Sequence, residues 1–301
     1  MNGSYVAVRR TRSSARIAGA LLALITLTLG LLVGGQRAAA ATSTTDLVFV
    51  HGFGACQDAR GSGMGPLLTQ YYWRNAPMST LHAVEYYGCD TDGESIVEYG
   101  PDAAGYYPSP DDNSYGTDIR HFSYELAWWL WDTFSSRGKP VDLVGHSMGG
   151  LIVAFALQRV AARDPLFPPY LTVPSVITVA APFKGVPGAT CPASNKQCNE
   201  MLPGSVFTSS LMTAGAMQPG KDTAAKTMWT LIGSVGCDLV VASSTLALPR
   251  ANWAVDYSKP CYTHTNYLSD YSTAADAWVT INGRAYTGKA HALALISSLL
   301  M

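Results

Sequence analysis

Apolar residues along this chain fall into short β-favouring runs separated by stretches with helical spacing. Residues 46–50, Asp-Leu-Val-Phe-Val, end at His51-Gly52, where the chain must turn, and predict a buried strand. A second strand is expected at residues 84–87. Over residues 117–136 the apolar positions Ile119, Phe122, Leu126, Trp129, Leu130 and Phe134 recur at spacings of three and four until Gly138 and Pro140 stop the pattern, which predicts an amphipathic helix. Residues 141–144 then read as a strand, 149–163 as a helix and 176–179 as a strand, an order that implies a parallel βαβ unit. Residues 228–232 read as a further strand and 290–300 as a terminal helix. Residues 90–116 mix Gly, Pro, Asp, Ser and Tyr without a period and predict a long loop with no regular structure. Residues 182–226, rich in Gly, Pro, Ser and Thr, read as a segment covering a binding site. No internal repeat or heptad array is present, which argues against a solenoid or coiled coil.

The N-terminus changes the picture of where the protein works. Arg9, Arg10, Arg12 and Arg16 precede an uncharged apolar stretch over residues 17–33, and small residues at 34–35 and 38–41 follow, the profile of a signal peptide spanning residues 1–41. The length of the stretch also suits a membrane span, and the small residues after it favour cleavage. The pair Arg9-Arg10 is compatible with twin-arginine export but does not select that route. Cleavage leaves residues 42–301 as one catalytic domain, secreted and long enough to bury a sizeable core. It also removes five of the twenty basic residues and none of the 21 acidic ones, so the mature formal charge is −6. Nothing forms a basic stripe able to neutralise phosphates, so nucleic acid is not an expected partner.

Six cysteines, all beyond residue 41, fit an oxidising compartment, because no Cys-x-x-Cys pair or nearby spaced histidines suggest zinc. Three disulfides follow. Fifteen pairings are possible, and sequential neighbours give Cys56 with Cys89, Cys191 with Cys198 and Cys237 with Cys261.

The chemistry concentrates at Gly145-His-Ser-Met-Gly149, between the strand ending at Val144 and the next helix, the context a nucleophile elbow requires. Glycines there let strand and helix approach while a strained serine exposes its Oγ. Ser147 is the candidate nucleophile; the plainer reading is a serine in an ordinary turn. His146 adjoins it but points elsewhere on the turn and reads as a packing or hydrogen-bonding residue. After such an elbow the acid and then the base follow in the chain, leaving His264 and His291 among six histidines. His291 lies in a helical pattern where a structural histidine is the plainer reading, whereas His264 lies in a polar loop beside Cys261 and is the candidate base. Asp238, a short turn after the strand at 228–232, is the candidate acid, with Asp256 and Asp270 as alternatives. A Cys237–Cys261 bond would tie the acid loop to the base loop. The turn His51-Gly52-Phe53-Gly54 after the first strand is placed to supply an oxyanion donor, and the backbone N–H groups of Phe53 and Met148 are the candidates.

With these segments in view, the chain resembles the secreted bacterial lipases and esterases of the α/β-hydrolase superfamily. The resemblance rests on residues 48–53, residues 145–149, residues 233–241 with Asp238 and residues 264–268; residues 198–205 also look like a segment such lipases carry between serine and acid. It implies an α/β-hydrolase fold with a mostly parallel central sheet and helices on both faces. It also implies a Ser–His–Asp esterase acting without metal or cofactor on acyl glycerols or similar hydrophobic esters, including at a lipid–water interface. No obligate protein partner is inferred. The polar segment over residues 86–115 is long for a minimal lipase and is expected to reshape the acyl pocket. Two other readings use the same features: an acyltransferase with the same triad, and an inactive binding protein presenting Trp128, Trp129 and Trp131 as a ligand platform.

Overall fold

The computed structural model describes residues 45–54, 56–61, 80–101, 103–108, 113–213, 227–248, 251–269 and 277–288, and positions 292, 295 and 296. The leader expected at 1–41, His291, Asp270 and most of the expected terminal helix lie outside these residues. Among the described residues the first seven strands, β1 (Asp46–Val50), β2 (Leu81–Glu85), β3 (Glu94–Ser95), β4 (Val141–His146), β5 (Ser175–Val179), β6 (Met228–Gly233) and β7 (Trp253–Lys259), pair in parallel. Two more, β8 (Ala277–Ile281) and β9 (Arg284–Gly288), add antiparallel at one edge. The order across the sheet is β3-β2-β1-β4-β5-β6-β7-β8-β9.

Period-2 geometry divides β1 between two cores. Leu47 and Phe49 pack with Val144, Ile177 and Ile232, and Ala292 and Ile296 join this core. Val48 and Val50 pack on the opposite face with Leu143 and Met148, beneath α1 (Ile119–Thr133) and α2 (Met148–Ala161). Asp118 caps α1 by accepting the Arg120 N–H at 2.8 Å, and Phe122, Leu126, Trp129 and Leu130 bury the face that the sequence spacing marks. Each large apolar side chain so buried contributes roughly 1.5–3 kcal/mol.

Several boundaries differ from expectation. The second strand is Leu81–Glu85 rather than 84–87, because Tyr86 and Tyr87 instead turn their N–H groups onto the Asp90 carboxylate at 3.2 and 2.9 Å. The supposed loop at 90–116 contains β3 and a 3-10 turn at Ala103–Gly105, where β3 forms because its backbone pairs with Val84 and Glu85. The helix expected over 117–136 stops at Thr133, followed by a 3-10 turn at Ser135–Arg137. The next helix runs over Met148–Ala161, one residue earlier at its start and two at its end than 149–163. Within 182–226 lie α3 (Lys196–Glu200) and α4 (Val206–Met212), capped by Asn195 and Ser205. The apolar pattern does not predict β7 to β9. Their polar residues interrupt the apolar runs, yet Asn282-Gly283, both with positive φ (48° and 80°), is a strong two-residue hairpin signal between β8 and β9.

β1 leads to β2 on one side, whereas β4 leads to β5 on the other. Their carboxyl ends therefore flank a crevice at which connections diverge, the place where open parallel sheets accept ligands. His51 follows β1 and Ser147 follows β4 at this crevice.

Candidate active site

Ser147 stands between β4 and α2 with φ 53° and ψ −125°, a backbone conformation unfavourable for a residue with a side chain. The surroundings impose it. Ser147 donates its N–H to the Val179 carbonyl at 2.8 Å and accepts the Gly150 N–H at 3.0 Å. A Cβ at Gly149 would run into the carbonyl oxygens of Val50 and His51, and one at Gly145 would lie 2.7 Å from the Gly150 backbone. Only glycine lets β1, β4 and α2 meet this closely.

The loop after β7 brings His264 back over the elbow, with His264 Nε2 2.8 Å from Ser147 Oγ. Its Nδ1 lies 3.0 and 3.2 Å from the Asp238 carboxylate oxygens. Asp238, on the loop after β6, is fully buried. It accepts the N–H groups of Val240 and Val241 on Oδ1 at 3.1 and 3.3 Å and the Tyr267 hydroxyl on Oδ2 at 3.1 Å. Burial works to raise its pKa, but the hydrogen bond and charge of His264, with the Val241 N–H and Tyr267 hydroxyl, outweigh it and hold the carboxyl below its ordinary value. Asp256, the alternative acid, accepts the Val235 N–H at 2.8 Å.

Sequence reasoning missed Tyr267, although it lies three residues beyond His264. His146 donates from Nε2 to the His264 carbonyl at 2.9 Å, the hydrogen-bonding role expected of it. Loss of hydration on packing, with His264 adding, pushes its imidazole down to about 4. Because the unfolded ring keeps an ordinary value near 6.5, the unfolded chain binds more protons between these two values. Stability is then present above pH 6.5 and lost as pH falls toward 4, by on the order of 2–3 kcal/mol for this group. Urea denaturation at pH 7 and pH 4.5 should show that loss, and His146→Gln should reduce it; an unchanged pH slope in the variant would discount this residue.

Gly52 packs against the elbow, since a Cβ there would lie 2.9 Å from Ser147 Cβ. Met148 is the first residue of α2, so its N–H has no carbonyl one turn earlier within the helix. Phe53 follows Gly52, its ring exposed and 5.1 Å from that of Tyr115. A cleft of about 490 Å3 opens above Ser147 and His264, with Phe53, Val186, Ala189, Met201, Val240 and Leu268 among its apolar walls. Among the described residues no group of three or more His, Cys, Asp or Glu side chains is arranged to hold a metal ion. The tryptophans considered as a platform lie away from the cleft lining: Trp129 is buried, Trp128 donates to the Leu166 carbonyl at 3.0 Å and Trp131 packs on Tyr170.

Three disulfides join Cys56 to Cys89, Cys191 to Cys198 and Cys237 to Cys261. The last lies beside Asp238 and three residues before His264, so it connects two loops whose side chains must meet within 3.0 Å. The double variant Cys237→Ser, Cys261→Ser is expected to lose activity by about a hundredfold, the scale that small misplacements of reacting groups cost, before the fold melts. Steady-state kinetics beside a thermal melt checks this; unaltered kinetics in a folded variant rejects the coupling.

The sequence profile described as the alpha/beta hydrolase family matches residues 47–293. Among solved structures, similarity extends to lipase B of Aspergillus fumigatus at 13% identity and TM-score 0.40, covering 73% of this chain and 43% of that one. It extends also to the mature lipase BlEst2 of Bacillus licheniformis at 17% identity and TM-score 0.40, covering 67% and 70%. A third is the lin2722 gene product of Listeria innocua at 14% identity and TM-score 0.40, covering 75% and 89%. The chain thus spans under half the length of the first of these. No curated protein sequence matches it.

Proposed function

Because the chain belongs to the alpha/beta hydrolase family, we propose that this hydrolase cleaves carboxylic esters through an acyl-enzyme on Ser147. The observation that carries the reading is the continuous line from Ser147 Oγ and His264, which line the cleft, to the buried Asp238 behind them. In this mechanism Oγ attacks the ester carbonyl while His264 Nε2 takes its proton. Asp238 keeps the hydrogen on Nδ1 and stabilises the imidazolium. The oxyanion meets the N–H groups of Phe53 and Met148, donors fixed before the reaction. Collapse of the tetrahedral intermediate passes the proton from His264 to the departing alkoxide. Water, deprotonated by the same imidazole, then releases the acid.

The apolar walls of the cleft favour a hydrophobic acyl group, as in acyl glycerols, and its size lies within the range of small-ligand pockets. Tyr115, from the long segment between β2 and α1, packs on Phe53 at the cleft wall and supports the expectation that this segment shapes the acyl site. The leader-like N-terminus and three disulfides support secretion.

Hydrolysis of p-nitrophenyl esters from short to long acyl chains, combined with stoichiometric labelling of Ser147 by an alkyl phosphonate, tests the reading. Neither turnover nor labelling in the folded protein sinks it and leaves the inactive binding protein. Product analysis with glycerol as acceptor separates hydrolysis from acyl transfer by the same groups, since transfer yields an acceptor-dependent ester.

A further inference from the structure

The N–H of Phe53 shares one peptide unit with the carbonyl of Gly52. In a trans peptide these two groups point in opposite directions, so whatever holds the Gly52 oxygen on one side aims the Phe53 hydrogen to the other. The Gly52 oxygen accepts the Tyr86 hydroxyl at 2.6 Å, and His51 Nδ1 lies 2.9 Å away. The same hydroxyl also lies 2.9 Å from the His51 carbonyl, so its one hydrogen lies between two successive carbonyls after β1, with the shorter approach to Gly52. On the other side of this strip a Cβ at Gly52 would crowd Ser147 and one at Gly149 would collide with the Val50 and His51 oxygens. The peptide is thus confined between the elbow and Tyr86.

Tyr86 is itself immobilised. It is fully buried and stacks on the His51 ring, with centroids 4.1 Å apart and planes at 15°. Asp90 gathers the surrounding groups: its carboxylate accepts from His51 Nε2 at 3.0 Å, from the N–H groups of Tyr86 and Tyr87 at 3.2 and 2.9 Å, and from the Gln57 N–H at 2.8 Å. Beside it the Cys56–Cys89 bond ties the turn after β1 to the turn after β2. Burial, with Tyr87 and Asp90 adding, raises the Tyr86 phenol well above its ordinary value, so the hydroxyl keeps the hydrogen it donates.

We infer that Tyr86, braced by Asp90, is a positioning residue that aims the Phe53 N–H into the oxyanion site by fixing the Gly52 carbonyl. This rests on the reading of Ser147 as nucleophile and of Phe53 as an oxyanion donor. The tyrosine touches no reacting atom. Its contribution appears when the carbonyl oxygen becomes charged, and not when the neutral ester binds.

The test is Tyr86→Phe, which keeps the ring and its stacking on His51 and removes the hydroxyl. The expected result is a fall in kcat for a p-nitrophenyl ester of about 10- to 100-fold, below the ~10²–10³-fold that deleting a donor outright costs, with KM within about twofold. The inhibition constant of a trifluoromethyl ketone, whose adduct with Ser147 carries the oxyanion, should rise by the same factor as kcat/KM falls. Asp90→Asn, which keeps an acceptor oxygen but removes the charge opposite His51, should show the same split with a smaller fall, and it carries the test if Tyr86→Phe does not fold. Unchanged kcat and ketone inhibition in a folded variant overturn the inference, as does a loss confined to KM or one with ketone inhibition unchanged. In each of these cases an active parent protein labelled at Ser147 leaves the nucleophile assignment standing. A parent protein that neither turns over esters nor labels removes both.

Discussion

Ser147→Ala is expected to lower kcat/KM for ester hydrolysis by about 10⁴- to 10⁶-fold while leaving the fold intact. The alanine keeps Cβ, the atom against which Gly52 packs, so the crowded junction of β1, β4 and α2 is unaltered. What disappears is the oxygen 2.8 Å from His264 Nε2, and no hydroxyl remains to form the acyl-enzyme. Any residual rate comes from the oxyanion donors and from binding in the cleft, acting on water as nucleophile. Turnover of a p-nitrophenyl ester, measured beside circular dichroism and thermal melting, checks the result. Near-parental turnover would remove Ser147 from the mechanism.

Asp238→Asn is expected to cost about 10³- to 10⁴-fold in kcat, although it changes one atom and little volume. The surrounding donors dictate how the amide sits. Val240 and Val241 aim their N–H groups at the Oδ1 position, so the amide oxygen takes it, and the NH2 group then faces His264 Nδ1 and the Tyr267 hydroxyl, which can rotate to accept. An amide donating to Nδ1 leaves the imidazole hydrogen on Nε2, facing the serine it must deprotonate. The same substitution removes a pH-dependent contribution to stability. Since the folded carboxyl sits below its ordinary value, its contribution is present at neutral pH and lost as pH falls through that depressed folded value. Near-neutral stability should therefore drop in the variant while stability at pH 2–3 changes less. Kinetics and urea denaturation at both pH values check the two effects, and undiminished kcat would show that another group orients His264.

The elbow was legible in sequence because its requirements are local. Two glycines around a serine, a strand of Val-Asp-Leu-Val before and an apolar helix after, are steric conditions met within about twenty residues, and the structure places β4 and α2 there. α1 was legible for the same reason, since spacings of three and four record which face is buried. β7 to β9 were not legible as apolar runs, because polar residues such as Asp256, Lys259 and Arg284 interrupt them toward the edge of the sheet that β9 forms. Their turn, Asn282-Gly283, still announced itself through backbone chemistry.

Sequence by itself determined the nucleophile candidate, the chain order that points to Asp238 and His264, and the family to which these segments belong. Tertiary structure alone decided which groups support them. Tyr267 reaches Asp238, His146 reaches the carbonyl of His264, and Tyr86 with Asp90 grips the turn after β1 across 34 to 39 residues of chain. No local period encodes these contacts. Parallel strands bring together segments that are distant in sequence, and a buried hydroxyl or carboxylate takes whatever donors and acceptors that packing delivers.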